Sequence, residues 1–66
     1  MRLMKLFIGS QEYTPKSFFT RRNSGGQATI TVVTLDEGGA VVFFPGTDRI
    51  ELVTIEAARE AWAKAG

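Results

Sequence analysis

Covalent catalysis needs a nucleophile with a base beside it, and this chain offers hydroxyls without the usual base. Ser10, Ser17, Ser24, Tyr13 and several threonines are the candidates, and the 66 residues contain no histidine and no cysteine. That absence removes the common base near neutral pH, the thiol nucleophile, and the ligands that dominate zinc, copper, haem and iron–sulfur sites. A serine–lysine arrangement would have to draw on Lys5, Lys16 or Lys64, and no spacing in the sequence suggests one. Carboxylates come in pairs, Asp36 with Glu37 in a turn and Glu56 with Glu60 one helical turn apart. Acid–base work by such a pair requires a cleft that separates their pKa values, and a chain this short has little room for one. The expectation is a protein with no catalytic residue, no cofactor and no metal site.

Two further arrangements could bind phosphate or bases. Arg21-Arg22-Asn23-Ser24-Gly25-Gly26 places two cations before a glycine-rich turn, whose N–H groups could form an anion nest. It lacks the spacing of a nucleotide-binding loop, and the same composition is what a hairpin turn requires. Lys16, Phe18, Phe19, Arg21 and Arg22 interleave cations with aromatics, as single-strand-binding sheets do. In the plainer reading the two phenylalanines divide between core and surface and the arginines are solvated strand ends.

These residues are positioned by short strands. Residues 3–8 read as a first strand, with Met4, Leu6 and Ile8 on one side and Leu3, Lys5 and Phe7 on the other. Thr14-Pro15 fits a helix start, but an extended approach to Pro15 and a strand Lys16–Arg22 suits the adjacent aromatics better. Residues 23–26 then form a turn. The β-branched run from Thr29 to Thr34 makes 27–35 the clearest strand, because such side chains lose rotamer freedom in a helix. A turn at Asp36–Gly39 leads to a strand Ala40–Phe44, stopped by Pro45-Gly46. Arg49–Val53 reads as another strand, with Ile50 and Leu52 inward. Thr54 is placed to cap a helix Ile55–Ala65, in which Ile55, Ala58, Trp62 and Ala65 share a face and Trp62 is the one large anchor.

The expected architecture is a single α+β domain over residues 1–66, an antiparallel meander of four to five strands with the C-terminal helix on one face. One helix covers one face, yet the central strands are apolar on both. Val41 and Phe43 lie on one side, Ala40, Val42 and Phe44 on the other. An uncovered apolar face marks contact with a partner or a second copy. Alternatively, the N-terminal segment folds over it through Phe7, Tyr13 and Phe18.

Composition fits that picture. The chain is 44% hydrophobic and 23% charged, with a net charge of +1. Residues 1–26 set Arg2, Lys5, Lys16, Arg21 and Arg22 against Glu12 alone, a net of +4. Residues 27–66 set Arg49, Arg59 and Lys64 against Asp36, Glu37, Asp48, Glu51, Glu56 and Glu60, a net of −3. A basic and an acidic end suit an oriented protein contact better than uniform coating of nucleic acid. No apolar run is long enough to span a membrane, and Lys5 interrupts what would otherwise resemble a secretory leader. The expected compartment is the cytoplasm.

In overall format the chain resembles small inhibitors encoded by phages and mobile elements, including anti-CRISPR proteins. It shares their short cysteine-free length, a glycine-punctuated meander (Asn23–Gly26, Asp36–Gly39, Pro45-Gly46) and a closing alanine-rich helix. The likeness rests on no motif and carries over no residue. It implies a non-enzymatic blocker of a host protein or nucleoprotein complex. The residues expected at the contact are Lys16, Phe19, Arg21 and Arg22 on the basic strand and Val41 and Phe43 on the apolar face, with a homodimer through that face also open. The competing expectation is a single-stranded nucleic-acid binder.

Overall fold

A computed structural model of the chain describes residues 5–65. Six strands precede one helix: β1 (Leu6–Ile8), β2 (Gln11–Tyr13), β3 (Pro15–Arg22), β4 (Ala28–Leu35), β5 (Ala40–Phe43), β6 (Ile50–Val53) and α1 (Ile55–Ala65). The last four strands form one antiparallel meander in the order β3-β4-β5-β6, and β1 pairs with β2 in a separate two-stranded sheet. The fold is α+β, with the helix packed on one face of the larger sheet. The expected residues Leu3 and Met4 of the first strand lie outside the described residues.

The β-branched run forms β4, one of the two strands paired on both sides among the described residues. Its side chains alternate between two apolar clusters. Ile30 and Val32 join Ala40, Val42 and Ala58 on the helix side. Phe44, Val53, Ile55, Ala61, Trp62 and Ala65 pack around that cluster, so the helical stripe read from spacing is the buried one. Val33, Leu35 and Val41 form the second cluster, on the opposite face, beneath Leu6, Ile8 and Tyr13.

The β1–β2 hairpin is therefore the cover for part of the second face. Leu6 and Ile8 point down onto it, while Phe7 between them faces solvent. The hairpin is held in place from both ends of its exit. The Thr14 N–H donates to both Glu37 carboxylate oxygens at 3.0 and 3.2 Å, and the Asp36 N–H donates to the Thr14 carbonyl at 2.9 Å. Those contacts tie the β2–β3 junction to the β4–β5 turn. The Thr14 N–H, and after it the N–H of Glu37 itself, holds the Glu37 carboxyl below the ordinary glutamate range, because hydrogen bonds to the carboxylate favour its charged form.

β2 was not expected: Gln11-Glu12-Tyr13 has no apolar alternation, and it pairs because the hairpin closes over an apolar surface. The assignment of Ile50 and Leu52 to the interior is corrected as well. Register sets Ile50 opposite Phe43 and Leu52 opposite Val41, which turns both away from the helix. They are 53% and 47% exposed, while Val53 joins the cluster under α1. Alternation gave the two faces of β6 correctly, but which face is inward depends on its pairing with β5.

The helix begins where the cap was expected, with the Thr54 hydroxyl accepting the Ala57 N–H at 3.1 Å. Gly39 is constrained twice: its φ is +83°, and a Cβ there would lie 3.1 Å from the Val53 carbonyl oxygen.

Candidate functional site

Four of the six residues expected at a contact lie on β3, which is an edge of the larger sheet among the described residues. Such an edge presents a row of backbone donors and acceptors to any approaching strand. Irregular register sets in between Pro15 and Ser17 and again between Arg21 and Arg22, so the regular stretch runs from Ser17 to Arg21. Lys16 and Arg22 flank it and are exposed.

Phe18 pairs across from Val33 and Phe19 from Val32. Val33 and Val32 belong to clusters on opposite faces, so the two rings leave the strand in opposite directions. Phe18 is 54% exposed on the hairpin side and Phe19 51% exposed on the helix side. Side-by-side stacking of successive bases needs aromatics on one face, and this pair does not supply it.

The two arginines differ. The Arg21 guanidinium donates to the Trp62 carbonyl at 2.8 Å and its Cζ lies 5.9 Å from the indole centroid. A cation there meets one of the carbonyls of the last helical turn and the negative end of the helix dipole. Arg21, expected at the contact, is instead engaged within the fold. Arg22 reaches only the Gly26 carbonyl at the surface, at 3.1 Å. The turn between them and β4 is not an open anion nest. The Asn23 side chain accepts from Gly25 and Gln27 at 2.9 and 3.0 Å, and the Asn23 carbonyl accepts from Gly26 at 3.0 Å.

On the second face, Val41 is only 3% exposed beneath the hairpin, so its side chain offers no contact area. Phe43 is partly buried beside Ile50. Besides Phe18, the accessible apolar surface on that side includes Phe43 with Ile50 and Leu52, the last two expected in the core from alternation.

A groove of about 430 Å³ lies between α1 and the β3 side of the sheet. Phe19, Val32, Ile55, Ala58 and Trp62 line it, with Arg59 as its one cation. The Phe19 and Trp62 rings meet edge to face at 6.5 Å. The groove exists because α1 packs over β4 and β5, leaving the helix side of β3 uncovered. Among the described residues, no group of three or more acidic side chains is placed to hold a metal ion, and no helix is long and apolar enough to cross a membrane.

No protein-family model, curated protein or solved structure matches the chain.

Proposed function

We propose that this chain is a small non-enzymatic binding domain that engages a larger protein or nucleoprotein complex through β3 and inhibits or modulates it. One observation carries the reading. A sheet edge bears two half-exposed phenylalanines, one on each face, between two exposed cations. Such a strand offers backbone pairing, apolar area and charge to one partner at once. The mode of action would be the one that small phage-encoded inhibitors use: occupancy of a surface, without chemistry. The opposite projection of Phe18 and Phe19 favours a protein over single-stranded nucleic acid.

The test is capture from a lysate of the source organism or its host, with nuclease, at two salt concentrations. The wild-type chain is compared with a Lys16→Glu/Arg22→Glu variant. A stoichiometric protein complex that survives nuclease and is weakened by the variant supports the reading. Recovery of nucleic acid alone, lost at higher salt, overturns it.

A second reading is favoured by the exposed Ile50 and Leu52 beside Phe43: self-association through that side of the sheet. It expects a dimer by light scattering that Phe43→Glu dissociates.

A further inference from the structure

The groove beneath α1 and the free edge of β3 adjoin, and together they describe an occupant more narrowly than either does alone. Ser17 pairs with Thr34, and Thr34 lines the groove. Ser17 is thus the small side chain that stands between the groove and the open edge of the sheet. A strand added alongside β3 would send alternate side chains toward the helix face. The one beside Ser17 would find a low barrier and, beyond it, the apolar walls formed by Phe19, Ile55 and Trp62.

Charge narrows the occupant further. Lys16 and Arg22 flank the regular stretch of the edge, and Arg59 faces the groove. None of the three has a carboxylate within ion-pair distance among the described residues, whose two ion pairs are Lys5–Glu12 and Arg49–Glu51. A second copy of the chain is a poor occupant in the register that pairs the whole regular stretch. Two β3 strands paired antiparallel about Phe19 set Lys16 against Arg22 of the second copy at both ends. Like charges directly opposite each other destabilise a strand pair.

Resting on the reading of β3 as the contact strand, we propose that the edge of β3 receives an extended acidic segment of the partner protein. It pairs by β-addition, seats one aliphatic or aromatic side chain over Ser17 into the groove under α1, and brings acidic residues to Lys16 and Arg22. Arg59 takes up any carboxylate carried next to the seated side chain. Backbone pairing supplies affinity, and the groove and the cations supply selectivity.

Trp62 is the only tryptophan and lines the groove, so its fluorescence reports occupancy directly. The probes are short capped peptides of alternating valine and threonine with a central leucine, ended by aspartate or by lysine. The aspartate-ended peptide is expected to change Trp62 emission saturably, with an affinity about tenfold above that of the lysine-ended one. The Lys16→Glu/Arg22→Glu variant, with its thermal melt followed in parallel, is expected to reverse that preference. N-methylation of alternate peptide bonds on the pairing edge is expected to abolish binding. The inference is overturned if neither peptide gives a saturable change, if both bind equally, if the N-methylated peptide binds as well, or if only a short oligothymidylate binds. Capture of a protein that is lost on Lys16→Glu/Arg22→Glu, with no peptide binding, sinks this inference and leaves β3 as the contact strand. Capture indifferent to those substitutions sinks both.

Discussion

Arg21 on the first strand of the large sheet and Trp62 in the last turn of the helix are joined across 41 residues by a 2.8 Å hydrogen bond from guanidinium to carbonyl. The same guanidinium lies 5.9 Å from the indole centroid, and Phe19 meets that indole edge-on. This cluster ties an edge strand to the helix that overhangs the groove. Arg21→Ala is expected to cost about 1–2 kcal/mol by loss of a partly buried, charge-assisted hydrogen bond. A chemical melt checks it. Arg21→Lys should recover only part of the loss, because one ammonium does not reproduce both contacts.

Trp62 packs against the helix-side cluster without being fully buried. Trp62→Ala is expected to cost about 2–4 kcal/mol, toward the lower side of the range for truncating a large aromatic. A native-like melting temperature for this variant would contradict the placement of the helix.

At the other end of α1, Thr54→Ala removes the acceptor for the Ala57 N–H and is expected to cost about 1 kcal/mol. For a domain of this size that corresponds to a fall of roughly 4–8 °C in melting temperature. Thr54→Ser should be close to neutral.

Gly39→Ala places a Cβ at a φ of +83° and 3.1 Å from the Val53 carbonyl oxygen. The expected loss is about 1–3 kcal/mol, measured by denaturant unfolding. Gly46→Ala shares the positive φ but has open space around it, so its loss should be smaller. The difference between the two isolates the close approach from the backbone strain.

Glu37 is expected to give the fold a dependence on acid pH. Its carboxyl is held below the ordinary glutamate range in the folded chain, chiefly by the Thr14 N–H. A depressed folded pKa contributes stability that is present above the unfolded value, and the contribution is lost as pH falls through the folded value. Stability should therefore decline on acidification below the ordinary glutamate range, and Glu37→Gln should flatten that part of the profile. An unchanged profile would show that the carboxylate does not hold the hairpin junction.

Much of this fold is legible in the residue order, for local reasons. The β-branched run makes β4, the glycine pairs make the turns, and Thr54 with the alanine-rich stretch makes the helix. Two adjacent phenylalanines after Pro15 are enough to favour a strand for β3. What is not legible depends on pairing between distant segments. Gln11–Tyr13 becomes a strand only because Leu6, Ile8 and Tyr13 find Val33, Leu35 and Val41. That same cover removes Val41 from the expected contact. Ile50 and Leu52 turn outward because of their register with β5, which alternation alone does not set. Arg21 looks like any surface cation until its acceptor, a backbone carbonyl far along the chain, is brought beside it.

β3 is proposed as the strand that meets the partner. Amide hydrogen exchange of the chain, free and in the complex captured from lysate, tests it most directly. New protection is expected from Ser17 to Arg21, with Trp62 emission shifting in parallel and β6 unchanged. Protection confined to Phe43 and to Ile50–Val53, with β3 exchanging as in the free chain, would contradict it.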